Sequence, residues 1–143
     1  MPIVYLGLGS NLGDREANIR KVCDLLKEKG IKILKQSSII ETDPIGGPPQ
    51  GKFLNAVIQV ETQLSPQDLL TELKIIEKKS GRIKTVHHGP RPVDIDILLY
   101  ENIKIKTSEL TIPHPHMLQR EFVMKPLREI APSLVEELIH AEH

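Results

Sequence analysis

The stretch from Val93 to Tyr100 begins with alternating apolar and acidic residues, and this pattern constrains the fold more than any other in the chain. A period of two is that of a β-strand, so Asp94 and Asp96 should project from one strand face. Their carboxylates would lie roughly 6 to 7 Å apart along that face. The side chains predicted to share the opposite, buried face are those of Val93, Ile95, Ile97 and Leu99.

Two ionised aspartates this close repel each other, and a bound divalent cation would offset the repulsion. Magnesium in particular favours one or two carboxylates together with phosphate oxygens. The preceding residues 81–92 include Arg82, Lys84 and Arg91 but no acid, a composition that suits a polyphosphate. The pattern therefore predicts a magnesium and phosphate site. The alternative is an edge strand whose outward aspartates keep it soluble.

Composition limits the functions to consider. The 143 residues are enough for one domain with a proper core, and we expect a single domain over 1–143. A net charge of zero and 3% aromatic residues give no indication of a nucleic-acid or membrane surface. Cys23, the only cysteine, lies on the apolar side of a predicted helix and is expected to be a small core residue, not a nucleophile. No signal peptide or membrane span is recognised, so a cytoplasmic protein is expected.

The remaining periodicities predict a β-α-β-β-α-β order followed by short C-terminal helices. The strands are predicted at 3–9, 31–42, 53–61 and 93–100, with a short strand at 103–106, and the helices at 14–29, 65–80, 116–130 and 133–140. This order describes an α+β fold, a ferredoxin-like sandwich with a C-terminal helical appendage. Both main helices would cover one sheet face and leave the other free for ligands.

Residues near the predicted free face include a loop and one strand. Residues 43–52 contain three prolines and three glycines, which predicts a long loop of the kind that often serves function. In the strand that follows, Phe53 and Asn55 share one face, whereas Leu54 and Ala56 share the core face. An aromatic ring and an amide therefore face the same side as the loop.

Two other ligand motifs are weaker. The glycines at 7, 9 and 13 could form a dinucleotide-binding turn, but the third glycine falls one residue late for the Rossmann pattern. His114 and His116 could bind zinc, but no cysteine or third histidine follows at a suitable spacing.

Together, the motifs resemble the 6-hydroxymethyl-7,8-dihydropterin pyrophosphokinase family, whose members transfer pyrophosphate from ATP to a pterin alcohol. The resemblance runs from Tyr5 to about Leu134. The motifs that carry it lie at residues 7–13, 53–56, 77 with 81–82, 89–98, 112–115, 120–123 and 126–127. Each motif is weak by itself, but all of them in this order are highly specific.

The resemblance implies two magnesium ions on Asp94 and Asp96 and a catalytic role for these residues with Arg82 and Arg91. The residues it implies for ATP are Glu77, Arg82, Lys84, Arg91, Thr111, His114 and Arg120. Those it implies for the pterin are Thr42, Asp43, Ile45, Phe53, Asn55, Asp94 and Phe122, with the ring between the two phenylalanines. No general base is assigned.

The chain departs from the family pattern in its basic loop, where His87 and His88 replace a frequent Arg-Trp pair and Lys84 replaces a frequent arginine. The implied partners are ATP and the pterin, and the expected state is a monomer or weak homodimer. Two other functions remain possible from the residues: a ferredoxin-like metabolite-binding domain without catalysis, and a metal-dependent phosphohydrolase.

Overall fold

A computed structural model of the protein describes residues 1–43, 51–80 and 92–141. Within these ranges the elements in chain order are β1 Ile3–Ser10, α1 Arg15–Glu28, β2 Lys32–Gln36, β3 Ile40–Thr42, β4 Phe53–Glu61, α2 Pro66–Lys79, β5 Asp94–Tyr100, β6 Ile105–Lys106, β7 Thr111–Ile112, α3 Glu121–Ile130 and α4 Pro132–Ala141. A 3-10 turn, Met117–Gln119, precedes α3. None of the helices described is long and apolar enough to cross a membrane.

Strand β1 is the centre of the main sheet. It pairs with β4 on one side and with β5 on the other, and both pairings are antiparallel. Strands β2 and β3 each pair with β4, so the order across the sheet is β2-β4-β1-β5 with β3 beside β4. The fold is therefore a mixture of helices and antiparallel sheet. A Rossmann unit needs parallel strands, and the described pairings are all antiparallel.

Helices α1 and α2 begin where the sequence provides caps. Asp14 Oδ1 accepts a hydrogen bond from the Ala17 N–H at 3.1 Å, and Ser65 Oγ accepts one from the Asp68 N–H at 3.1 Å. Both helices pack on one face of the sheet, where Leu6, Leu26 and other side chains are fully buried. Each fully buried leucine contributes about 1.5 to 3 kcal/mol to folding. Cys23 is buried in the same core, as predicted.

The opposite face of the sheet carries a second core. There, Val57 of β4 and Leu98 of β5 pack against Val123 and Leu127 of α3. The prediction that this face is free is therefore wrong for the half that lies under α3 and α4, because the C-terminal helices bury an apolar stripe on it. The half nearer the end of β1 is the part that borders a cavity.

Strand β5 departs from simple alternation at Leu98. Tyr5 of β1 lies opposite Leu99, but the next residue, Leu6, lies opposite Ile97, so Leu98 is an extra residue in the strand. Such a bulge reverses the faces beyond it. Leu99 accordingly packs in the second core with Leu98 and not with Ile97, which corrects the prediction for Leu99.

The predicted strand at 31–42 is two strands, because Ser37 interrupts the ladder. Ser37 Oγ accepts a hydrogen bond from the Val57 N–H at 2.9 Å, in place of a backbone carbonyl. The Ser38 N–H, turned away from the sheet, donates to the Glu129 carboxylate of α3 at 2.6 Å. The break in the strand thus binds the last turn of α3 to the sheet edge.

The Ser38 hydrogen bonds, first that of the backbone and then that of the side chain, lower the pKa of Glu129 from its ordinary value of 4.5. The carboxylate therefore adds stability above about pH 4.5, and this stability is lost as the pH falls through the lower, folded-state pKa.

We expect Glu129→Gln to lower the melting temperature at pH 7, and we expect the difference from the parent protein to shrink as the pH falls below 4.5 and through the lower, folded-state pKa. Thermal melts across this pH range measure the effect. Glu137→Gln, at an exposed position on α4, is the control and should not change the melting temperature. A Glu129→Gln difference that is the same at every pH would contradict the assignment.

Candidate active site

Three neighbouring strands bring an amide, a glycine and a carboxylate into one row across the sheet. Gly9 of β1 lies opposite Asn55 of β4 on one side and opposite Asp94 of β5 on the other. Two strand spacings separate Asn55 from Asp94, or roughly 10 Å. The row beside it consists of Val57, Gly7 and Asp96.

The two glycines leave the centre of these rows without side chains. Gly7 and Gly9 lie inside β1, which extends to Ser10, and not in a turn after it. A glycine inside a strand often marks the close approach of a ligand. They form the floor of a cavity of about 250 Å³, which we call the glycine-floored cavity.

The walls of the glycine-floored cavity are aromatic and polar. Phe53 of β4 and Phe122 of α3 both line it, as does Arg120, whose guanidinium carbon lies 5.6 Å from the centre of the Phe122 ring. This distance is that of a cation–π contact. Both phenylalanines of the chain thus border one cavity that has room for a flat ring.

A polar pair lies at one side of the same cavity. Asn55 is 7% exposed, and its Nδ2 donates a hydrogen bond to Thr42 Oγ1 at 2.6 Å. This bond orients the amide, so that its oxygen lies towards Gly9, where a Cβ atom would be only 3.3 Å away. Asp43, which follows Thr42, also lines the cavity.

A second cavity, of about 210 Å³, lies beside β5 and the β6–β7 hairpin, and we call it the hairpin cavity. The hairpin turn is closed by Thr107, whose N–H donates to the Leu110 carbonyl at 2.9 Å and whose Oγ1 accepts from the Leu110 N–H at 3.0 Å. Thr111 and His114 line this cavity together with Leu70 of α2.

Asp96 connects the two cavities. Among the residues that the structure describes, it is the one that borders both of them. Asp94 lines the glycine-floored cavity beside it, on the same strand face. A pair of carboxylates therefore lies at the junction between a space suited to a flat ring and a space beside a polar hairpin.

The family model for 7,8-dihydro-6-hydroxymethylpterin-pyrophosphokinase (HPPK) matches residues 5–132 of this chain. The chain belongs to this family. The 2-amino-4-hydroxy-6-hydroxymethyldihydropteridine pyrophosphokinase of Bacillus subtilis is 43% identical over 98% of this chain and 84% of its own length. The protein of the same name from Aquifex aeolicus is 44% identical over 96% of this chain and 86% of its own length.

Longer proteins also contain a similar region. Folic acid synthesis protein fol1 of Pneumocystis carinii is 46% identical over 92% of this chain, which spans 18% of that protein. A solved HPPK-DHPS in complex with substrates has a TM-score of 0.69 at 18% identity, over 92% of this chain and 40% of that one. Plasmodium falciparum HPPK-DHPS with SDX-DHP has a TM-score of 0.67 at 19% identity, over 92% of this chain and 40% of that one. These structures establish the fold that this chain shares with HPPK domains.

Most of the site residues predicted from the HPPK resemblance lie at the two cavities. Those on the glycine-floored cavity are Thr42, Asp43, Phe53, Asn55, Asp94, Asp96, Arg120 and Phe122. Thr111 and His114 line the hairpin cavity with Asp96. Ile45, Arg82, Lys84 and Arg91, like His87 and His88, lie outside the described residues, so their roles stay predictions.

Glu77 lies elsewhere. Its side chain is buried, and its Oε2 accepts a hydrogen bond from the Ile95 N–H at 2.8 Å. Since Ile95 lies between Asp94 and Asp96, this hydrogen bond connects α2 to the backbone between the two aspartates. Glu77 lines neither cavity of the described structure, so a direct contact with a nucleotide stays a prediction.

The carboxylate pair suits magnesium. The described residues contain no group of three or more His, Cys, Asp or Glu side chains that could enclose a metal ion. Magnesium seldom needs such a cage, because it retains waters and binds substrate phosphates through one or two carboxylates. Asp94 and Asp96 therefore fit this ion, whereas within the described ranges zinc at His114 and His116 would lack ligands.

His114 is held by the bulge in β5. Its backbone N–H donates a hydrogen bond to the carbonyl of Leu98, the extra residue of the bulge, at 3.0 Å. Its Nδ1 is buried and has no hydrogen-bond partner in the described part of the chain. Burial, followed by the charges of Arg120 and His116, lowers the pKa of His114, and Asp94 acts in the opposite direction. At neutral pH the imidazole that borders the hairpin cavity is therefore uncharged.

We expect Arg120→Met to raise the pKa of His114 towards its ordinary value of 6.5, because a nearby positive charge is removed. Histidine ring resonances followed by NMR across the pH range, in metal-free protein, measure this change. Lys125→Met, at an exposed position on α3, the helix that follows Arg120, is the matched control and should not shift this pKa. An unchanged His114 pKa in Arg120→Met would show that Arg120 does not act on the ring.

Proposed function

We propose that this protein transfers pyrophosphate from ATP to the hydroxymethyl group of 6-hydroxymethyl-7,8-dihydropterin, a step of folate biosynthesis. Membership of the HPPK family supports this reaction, and the two bacterial relatives carry the corresponding name. The observation that carries the proposal is the position of Asp96 between two cavities. A transfer between two substrates needs such a junction.

The pterin occupies the glycine-floored cavity. A flat bicyclic ring needs apolar faces to stack on and amide-like groups for its polar edge. Phe53 and Phe122 supply the faces, and Asn55, oriented by Thr42, supplies hydrogen bonds. The floor formed by Gly7 and Gly9 lets the ring approach the sheet. Its hydroxymethyl group then points to the aspartates.

ATP occupies the hairpin cavity. Thr111 and the turn at Thr107 offer hydroxyl and backbone groups, and Leu70 offers an apolar surface. The triphosphate extends to Asp96. His114 borders the same cavity, and Arg120 lies close enough to act on the His114 ring. Arg82, Lys84 and Arg91 add positive charge to the same phosphates.

Asp94 and Asp96 would hold two magnesium ions, which when bound supply positive charge that neutralises the phosphates. In the reaction the hydroxymethyl oxygen attacks the β-phosphorus, and the bond from that phosphorus to the α–β bridging oxygen breaks. AMP leaves with the bridging oxygen, and the hydroxyl proton passes to solvent. Phosphoryl transfer of this kind depends on positioning and charge more than on a covalent nucleophile.

We also propose that the sheet has the ferredoxin-like topology. If β2 and β3 are counted as one interrupted strand, the observed order corresponds to the predicted β-α-β-β-α-β arrangement. Residues 1–143 would then form one pyrophosphokinase domain with α3 and α4 as its appendage. The expectation of a cytoplasmic monomer or weak homodimer stays a prediction.

Product analysis tests the proposed function. We expect a mixture of protein, magnesium, ATP and the pterin to give AMP and pterin diphosphate in equal amounts, and no AMP without the pterin. ADP or free phosphate would instead indicate a kinase or a hydrolase. Asp96→Asn should reduce turnover by at least about a hundredfold without lowering the melting temperature, because it removes one of two like charges. Turnover at the parent rate in that variant would refute the role of Asp96.

A pair of glycine substitutions tests the pterin position. A Cβ at Gly9 would lie 3.3 Å from Asn55 Oδ1 and 3.6 Å from Cδ1 of Phe53, whereas one at Gly7 would lie at an ordinary 3.5 Å from Leu98. We expect Gly9→Ala to weaken pterin binding about tenfold, because the oriented amide must move. Fluorescence titration with the pterin measures this. Gly7→Ala also adds a methyl group to the cavity floor but does not displace the amide, so it should weaken binding less. A larger loss in Gly7→Ala than in Gly9→Ala would contradict this placement.

A further inference from the structure

Side chains at and just before the beginning of α1 contact the residues that immediately precede β4 and β5. Arg15 Nη1 donates a hydrogen bond to the carbonyl of Lys52 at 2.8 Å, just before β4. Asn18 Nδ2 donates to the carbonyl of Pro92 at 3.2 Å, just before β5. Asn11 Nδ2 donates to the Gly51 carbonyl at 3.3 Å. Side chains of residues 11–18 thus bind the backbone just before β4 and just before β5.

Arg15 bridges the two strands that form one wall of the glycine-floored cavity. Its Nη2 lies 2.9 Å from Glu41 Oε2 of β3, while Nη1 binds the carbonyl that precedes β4. The strand pair ends at Thr42 opposite Phe53, and these two residues line the cavity. The last pair of a ladder is its weakest part, so a guanidinium across this end restrains the wall.

The position of Arg15 is not explained by the helix itself. A positive charge in the first turn of a helix is unfavourable, because the helix dipole is positive at that end. Asp14 already provides the cap. The contacts of Arg15 with Glu41 and Lys52 are therefore the favourable interactions at this position.

Asn18 connects the end of β1 with the start of the aspartate strand. Its Nδ2 lies within hydrogen-bond distance of Ser10 Oγ at 3.2 Å, the Leu12 carbonyl at 2.8 Å and the Pro92 carbonyl at 3.2 Å. Pro92 comes two residues before Asp94, and Ser10 follows Gly9 of the cavity floor. A displacement of this amide would therefore shift the start of β5 relative to β1.

We propose that Arg15 and Asn18 are positioning residues with separate targets: Arg15 holds the pterin wall at Thr42 and Phe53, and Asn18 holds the metal-binding start of β5. The inference rests on the proposed function and extends it to residues outside the cavities. Neither side chain lines a cavity of the described structure, so each acts through the backbone that it binds.

Two binding measurements without turnover separate the targets. Pterin affinity is measured by fluorescence, and Mn²⁺ affinity by water proton relaxation, each with a non-hydrolysable ATP analogue. We expect Arg15→Met to weaken pterin binding about tenfold and to leave Mn²⁺ binding within about twofold. We expect Asn18→Ala to weaken Mn²⁺ binding by about tenfold or more, with a smaller effect on the pterin.

Further variants distinguish these specific effects from a general loss of structure. Arg20→Met removes another arginine of α1, one that pairs with Glu16 on the exposed side, and should change neither affinity. If Arg15→Met does not fold, Glu41→Gln weakens the same bridge and should show the same selective loss of pterin affinity. Equal losses of both affinities in both variants, or no loss in either, would overturn the inference. Failure of the parent protein to form AMP would refute the proposed function instead.

Discussion

The pairing of β1 with both β4 and β5 is the constraint on which the rest of the structure depends. Because a slip of one residue would turn every side chain to the other face, the apolar residues of β1 fix the register through burial under α1 and α2. The same register sets Asn55, Gly9 and Asp94 in one row on the opposite face. Packing of the sheet against α1 and α2 thus sets the positions of the cavity-lining residues on its opposite face.

The opposite face is divided between packing and binding. The C-terminal helices cover the part around Val57 and Leu98. Arg120, just before α3, and Phe122, in its first turn, lie at the edge of the part that remains. Buried Glu77 supports the aspartate strand from the other side of the sheet through the Ile95 N–H. The strand that carries both aspartates is therefore packed against helices on its two faces, which suits the proposed site, where two like charges must stay close together.

Local patterns predicted the elements that one buried face defines, and failed where distant groups decide. Helices α1 and α2 follow from their periodicity and, for α2, from the Ser65 cap, because burial repeats along one face of each helix. The interruption at Ser37 depends on Val57, twenty residues away, and the bulge at Leu98 depends on β1. Arg15 and Asn18 resemble ordinary helix residues in the sequence. Their partners, Lys52 and Pro92, become visible only in the fold.

The most direct test of this account is a crystal structure of the protein with Mn²⁺, a non-hydrolysable ATP analogue and 6-hydroxymethyl-7,8-dihydropterin, with the metal located by anomalous scattering. We expect manganese on Asp94 and Asp96, the pterin over Gly9 between Phe53 and Phe122, and the nucleotide at Thr111. Metal bound away from Asp96, or both ligands in one cavity, would contradict the claim that this aspartate joins the two substrate sites.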